Sequence, residues 1–340
     1  MATEEVLINF GNKDYMLSTS NPFVRFEGNP ILSSTQVNKK WNEPHLKVVT
    51  VHNAGVVIHE EKTLMLFRSH LRNGISVIGK AISGDGLTDW QVDSRPALKP
   101  CDENDTFASH CDIMKQVKIE AGGVEDPRIS KIGDKYYITY SAYHGVIEDR
   151  VRVCLASTDN FITFFRHGPI LDRDMRNVVI FPEKIGGYYY ALMRPNDSLS
   201  KGQQGGIYKE IRLARTETLE SNEWEIDDKP VMRQGGGPSP FQHKIGPGAP
   251  PIKTRHGWIS IFHGVRSTMD GNPYVLGVAL HDLHIKVDVP IVLSVLALKL
   301  GRSLRFDPKT RSILGDAEAA RLAVPEYRAP WKFPKEYLEG

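Results

Sequence analysis

The stretch VEDPRISKIGDKYYITYSAY (Val124–Tyr143) decides how the rest of the chain is read. Its second half, IGDKYYITYSAY (132–143), is a turn followed by an alternating run of aromatic and aliphatic residues. That is the pattern of a half-buried strand after a tight turn. Its first half is an apolar segment carrying Glu125 and Asp126 directly before Pro127 and Arg128. Strand interiors avoid charge, and proline has no N–H to give to a ladder. A carboxylate set there either pairs with Arg128 to hold the start of the strand or is kept for chemistry.

The same order of segments recurs outward from this stretch. Turn-plus-strand runs stand at EEKTLMLFRSH (60–70), IGGYYYALMRP (185–195) and TRHGWISIFHGV (254–265). Each is followed by a second apolar run: SVIGKAISGDGLTDW (76–90), VRVCLASTDNFITF (151–164) after the opening stretch, EIRLARTETLESNEW (210–224) and YVLGVALHDL (274–283). Each is preceded by a third: HNAGVVIHE (52–60), VEDPRISKI (124–132), VVIFPEKI (178–185) and PGAPPIKT (247–254). Three or four strands recurring every ~50–70 residues is the arithmetic of a β-propeller blade. A fifth unit can be assembled from NPFVRFEGNPIL (21–32) and material after residue 285. The expected fold is therefore all-β, a five-bladed β-propeller forming one domain over 21–340, with residues 1–20 as an N-terminal arm. A β-sandwich is the alternative, but it does not require the repeated order. The closing segment 286–340 fits poorly, and DAEAARLAVPEYRAPWKFPKEYLEG within it is partly helical in composition, with proline breaks.

Bulk composition excludes several function classes. The 340 residues carry a formal net charge of +2, without the clustered basic face that nucleic acid requires. The three cysteines, Cys101, Cys111 and Cys154, form neither a disulfide framework nor a CxxC zinc pair. MATEEVLINFGNKDY at the amino terminus lacks a basic region followed by a long apolar core, and no stretch reads as membrane-spanning. The expectation is a soluble, cytoplasmic protein. GGGPSP (235–240) lacks the Lys-Ser/Thr of a phosphate loop, no GxSxG elbow is present, and no metal site or cofactor is expected.

In a propeller the innermost strands line a central funnel. Asn53, the Glu125–Arg128 run, Pro182-Glu183-Lys184 and Pro250-Pro251 fall at the corresponding place in successive units. Asp126 reads as a general acid or as the ion-pair partner of Arg128. Arg68 reads as a bidentate clamp for a hydroxyl or anion, or as a solvated strand-end charge. Arg150 and Arg152 share a face by period two. Arg176 and Asn177 precede an inner strand, where a cation can hold an anion. His263 is a ligand contact or a hydrogen-bonded structural histidine. Most tyrosines read as core.

VEDPRI, IFPEKIGGYYYALMRP, KIGPGAPPIKTRHGWISIFHGV and YVLGVALHDL, in this order and with HNAGVV ahead of them, resemble glycoside hydrolase family 130, the β-mannoside phosphorylases and β-1,2-mannosidases. The likeness runs over roughly residues 20 to 285. It implies a five-bladed propeller and an inverting mechanism with Asp126 as the single catalytic carboxylate, protonating the leaving oxygen through a mannosyl hydroxyl. It implies a mannose subsite at Asn53, Arg68 and Arg128, with Glu183 and His263 as further substrate contacts. The phosphorylase branch carries an anion set matched here by Arg150 or Arg152 and by Arg176, beside Asn177, whereas Met193 in LMRP stands where that branch has histidine. The hydrolytic branch relies on acidic residues to activate water, for which Glu148, Asp149, Glu183 and Glu210 are the candidates. The implied reaction is phosphorolysis of a β-mannoside to α-mannose 1-phosphate, with inorganic phosphate as co-substrate and a homo-oligomeric enzyme. The alternative is an inverting β-mannosidase using water. A sugar-binding propeller without activity, or a furanosidase with three converging carboxylates, are the rivals outside this pair.

Overall fold

A computed structural model describes residues 5–10, 13–18, 26–145, 151–196, 210–221, 223–234, 243–255, 257–266, 268–269, 271–281, 305–307 and 312–323. The protein is mostly β, and its contacts divide it into two compact units, whereas the sequence puts the one boundary at residue 20. The smaller unit comprises 1–25, 255–258 and 278–340. It contains an antiparallel hairpin of β1 (Glu5–Phe10) and β2 (Lys13–Ser18) where an arm is expected.

The larger unit, 26–254 with 259–277, is built from repeated antiparallel meanders. The first runs β3 (Val48–His59), β4 (Lys62–Leu71), β5 (Ser76–Ser83) and β6 (Gln91–Val92). The second runs β7 (Gly123–Ile132), β8 (Lys135–Tyr143), β9 (Val151–Thr158) and β10 (Phe165–Pro169). The third runs β11 (Met175–Ile180), β12 (Tyr189–Pro195), β13 (Ile211–Thr216) and β14 (Glu225–Met232). In the fourth, β15 (Lys244–Pro247) and β16 (Ile252–Thr254) pair β17 (Gly257–Val265), which also pairs β18 (Tyr274–His281). Toward the carboxyl end lie the hairpin β19 (Arg305–Asp307) and β20 (Ser312–Leu314), and a helix, Ala317–Ala323, in the stretch that reads as helical.

Successive meanders bury their apolar faces against one another. Leu64, Leu66 and Ile78 of the first share a core with Val124, Ile129, Ile138 and Tyr140 of the second. Val153 and Leu155 of the second share one with Val178, Ile180, Ala191 and Met193 of the third. Buried hydroxyls reinforce the second contact: Ser130 Oγ donates to the Ile180 carbonyl (2.8 Å) and Thr139 Oγ1 to that of Val178 (2.6 Å). Because these hydroxyls are paired, their hydrogen bonds offset the cost of taking them out of water. A helix, α1 (Ser34–Lys40), closed at its start by a Ser33–Gln36 capping box, packs Val37 into the first meander's core beside Trp41, Phe67 and Val77.

The first strands of three meanders carry the same defect. Register shifts lie between His52 and Gly55, between Glu125 and Arg128, and between Arg176 and Val179. Inside each bulge sits a left-handed residue: Asn53 (φ 49°), Asp126 (φ 53°) and Asn177 (φ 56°). Asn and Asp tolerate this conformation better than other non-glycine residues, and a bulge re-aims the side chain it carries. This resolves the odd composition of the opening stretch. Pro127 lies in the bulge, where no ladder N–H is needed, and Asp126 is turned away from the regular pleat.

The first two meanders touch where Ser76 of β5 pairs Gly123 of β7. Gly123 has φ 136°, and a methyl group there would lie 2.7 Å from the Ser76 nitrogen. Gly123→Ala is expected to lower stability by about 1–3 kcal/mol, read as a lower urea midpoint at unchanged slope.

Candidate functional site

Asp126 is the centre of a polar cluster collected from the first three meanders. Its Oδ1 accepts from Asn53 Nδ2 (2.9 Å) and from Arg68 Nη1 (3.0 Å). The second fork nitrogen of Arg68, Nη2, donates to Glu125 Oε1 at 2.6 Å. Glu125 is buried and also accepts from Ser76 Oγ (3.0 Å) and Arg176 Nη1 (3.4 Å). Of the Asp126 side chain, 11% stays open, enough for a ligand atom to reach a carboxylate otherwise enclosed. Burial works to raise the Asp126 pKa, but the guanidinium groups of Arg128 and Arg68 and the hydrogen bond from Asn53 outweigh it, so the carboxyl lies below the ordinary range. Arg128 is held against its own carbonyl neighbour, donating from Nη1 to the Pro127 oxygen (3.1 Å), and burial lowers its pKa against the pull of Asp126.

Beside this centre lie two groups at matching register positions. In the first meander Arg68 pairs His52, the residue before the bulge. In the third, Arg194 pairs Arg176 at the same place. In the fourth, His263 pairs Gly246. Arg194 is 3% exposed, and its Nε and Nη1 have no hydrogen-bond partner. Burial, then the charge of Arg176, pushes its pKa down to about 10 against Tyr274, Asp126 and Asp174, so it stays a cation at neutral pH. His263 is pushed down to about 4 by burial and by Arg194, Arg128 and Lys244, against Asp126, and is neutral there. Gly246 makes the space: a methyl group on it would fall 2.8 Å from His263 Nε2 and 3.4 Å from Arg194 Cδ.

Of the residues singled out in the sequence, Asn53, Arg68, Asp126, Arg128, Arg176 and His263 are brought together, and Asn177 occupies the third bulge. Arg152 is drawn elsewhere: its Nε donates to Asp172 Oδ1 (2.8 Å), while Lys115 Nζ donates to Asp172 Oδ2 (2.8 Å). Glu183 is half exposed and pairs Lys253, and Glu210 is held by Arg212 (3.5 Å) and Arg233 (3.8 Å). Glu148, Asp149 and Arg150 lie outside the described residues. Met193 is fully buried in the apolar core between meanders, and its neighbour Arg194 is the residue the sequence reading missed. Aligning LFRSH, LMRP and IFHGV on their strand ends would have found it. The three cysteines are free thiols. Among the described residues no group of three His, Cys, Asp or Glu is placed to hold a metal ion, and no helix is long and apolar enough to cross a membrane.

Repeated meanders gathering two enclosed carboxylates, Asp126 and Glu125, and several guanidinium groups at one patch define a β-sheet protein with a highly charged, largely enclosed site. The chain belongs to glycoside hydrolase family 130: the family described as beta-1,4-mannooligosaccharide phosphorylase matches residues 23–294. A 1,2-beta-oligomannan phosphorylase of Thermoanaerobacter sp. is 34% identical over 210 residues, covering 62% of this chain and 59% of that one. A beta-1,2-mannobiose phosphorylase of Listeria innocua is 34% identical over 213 residues, covering 62% and 50%. The aligned region thus spans between half and three fifths of the length of these relatives. The solved structure of the beta-1,2-mannobiose phosphorylase from Listeria innocua, in complex with beta-1,2-mannobiose, superimposes with a TM-score of 0.60 at 25% identity, over 77% of this chain and 80% of that one.

Proposed function

We propose that the protein is an inverting β-mannoside phosphorylase that releases α-mannose 1-phosphate. One observation carries the reading: the enclosed carboxylate Asp126 stands beside a buried cation, Arg194, whose Nε and Nη1 have no protein partner. Inverting hydrolysis needs an acid and a second carboxylate free to activate water. Phosphate is already an anionic nucleophile and needs guanidinium donors instead. The other carboxylate of the cluster, Glu125, is engaged by Arg68, Ser76 and Arg176, which leaves it poorly suited to act as a base.

In this reading Asn53, Arg68 and Arg128 frame the mannosyl unit, and Arg176, Arg194 and His263 hold phosphate, with Asn177 at the edge. A phosphate oxygen attacks the anomeric carbon from the face opposite the leaving group. The glycosidic C–O bond breaks, and the leaving oxygen takes a proton from Asp126 relayed through a mannosyl hydroxyl. An anion seated on Arg176 and Arg194 offsets their charge and raises the pKa of the nearby Asp126, so the proton is available when phosphate is bound. Incubating β-1,2- and β-1,4-mannobiose with and without phosphate tests the proposal by 31P NMR and sugar analysis. Mannose 1-phosphate of α configuration is expected only with phosphate. Free mannose released equally fast in its absence overturns the reading.

The same proposal takes residues 21–340 as one five-bladed propeller. The recurring bulged meanders support it, and the fifth blade is drawn from 21–32 and the chain after 285. It also carries a cytoplasmic, homo-oligomeric enzyme, since a sugar phosphate is retained inside a cell. Light scattering of the purified protein tests the oligomer.

A further inference from the structure

Behind the Asp126 cluster lies a chain of hydrogen bonds that leaves no freedom in its proton positions. Arg68 Nη2 lies 2.8 Å from His70 Nε2. A guanidinium has only protons to give, so Nε2 is the acceptor and carries no hydrogen. Ser76 Oγ lies 3.1 Å from His70 Nδ1 and 3.0 Å from Glu125 Oε1. The carboxylate can only accept, so the single serine proton goes to Glu125, and Nδ1 must donate to Ser76. His70 is therefore the neutral Nδ1–H tautomer. We infer that His70 is a positioning residue that aims the Arg68 fork at Asp126 and Glu125, and that protonation of its ring disarms the site in acid.

The surroundings agree. From β3, His52 stacks on His70 with ring centroids 5.5 Å apart. From β5 comes Ser76, from β7 the carboxylates Glu125 and Asp126, and from its own strand Arg68. Burial and then the Arg68 charge hold the ring below its ordinary pKa, against the pull of Glu125 and Asp126. A proton arriving on Nε2 would turn an acceptor into a donor facing the Arg68 fork and place two cations in contact. The contact must break, and Arg68, whose other nitrogen holds Asp126 Oδ1, must move. No contact from His70 to Asp126 is needed for the effect, because Arg68 bonds to both.

The inference rests on the proposed reading that the Asp126 cluster is the reacting site, but its test has an arm independent of that reading. Long-range 15N–1H NMR of the free protein is expected to show the His70 ring with its proton on Nδ1 and a bare Nε2. His70→Ala is expected to lose about tenfold to a hundredfold in kcat/KM. His70→Gln keeps an amide oxygen able to accept from Arg68 and cannot titrate. It should recover part of that loss, and the acid limb of its pH profile should move to lower pH than in the wild type. Ionisation of phosphate is common to both enzymes, so a difference between the profiles belongs to the protein. A proton on Nε2, or a His70→Gln acid limb coinciding with the wild-type one, overturns the inference. Absence of mannose 1-phosphate with the Nδ1–H tautomer intact would instead overturn the phosphorylase reading and leave the tautomer assignment standing.

Discussion

Asp126→Asn is expected to lower kcat by between about 10² and 10⁴, the range for losing a positioned proton donor, while the protein still folds. The substitution isolates the charge from the backbone. Asp126 sits at φ 53°, but Asn53 and Asn177 occupy the same place in their own bulges at φ 49° and 56°, so an asparagine fits without new strain. The amide oxygen still accepts from Asn53 and Arg68. What disappears is the proton and the negative charge facing Arg128 and Arg68. Breaking a buried ion pair leaves a cation uncompensated, so a loss of about 3 kcal/mol in stability accompanies the loss of activity. The pH dependence carries its own sign. A carboxyl whose folded pKa is depressed contributes stability above its unfolded pKa, about 3.9, and loses that contribution as pH falls through the lower folded value. The wild type should therefore weaken on acidification through this window. The part of the slope due to Asp126 should be missing from the variant, as read by urea titrations between pH 6 and 3. Unchanged turnover would remove Asp126 from the chemistry.

The strands of the site were legible because their signal is local. Alternation and turn residues mark β4, β8, β12 and β17 together with the strands on either side of them. Their recurring order is recovered as meanders sharing cores. The outer strands were not legible: β6 has two residues, and β14, EIDDKPVM, has four charged, exposed residues among its eight and no apolar period. The carboxylate pair stood out because charge and proline in a strand contradict each other, and the bulge is the physical answer. Arg152 was misplaced for the opposite reason. Period two gives the face a side chain occupies but not the partner that captures it, and Asp172, 20 residues further on, does so. Met193 and Arg194 show the same limit from the other side. One faces the core and the other the site, and only the register of LMRP against LFRSH tells which is which.

Arg194→Met is expected to separate stability from function. The residue is 3% exposed and leaves Nε and Nη1 unpaired, with Arg176 close enough to depress its pKa further. A buried cation held this way opposes folding, and replacing such ions with apolar groups of similar volume is neutral or stabilising by about 1–4 kcal/mol. Methionine is flexible enough to fill the space between Gly246 and His263. The variant should melt at the same temperature or higher. Its KM for phosphate should rise about tenfold to a hundredfold, the worth of charge-assisted hydrogen bonds to a bound anion. The KM for the mannoside should move much less, because Asn53, Arg68 and Arg128 are untouched. A fall in melting temperature with an unchanged phosphate KM would make Arg194 a structural residue and return the anion site to Arg176 alone. The unpaired nitrogens argue against that outcome, since a guanidinium placed only for structure would have its donors satisfied by the protein.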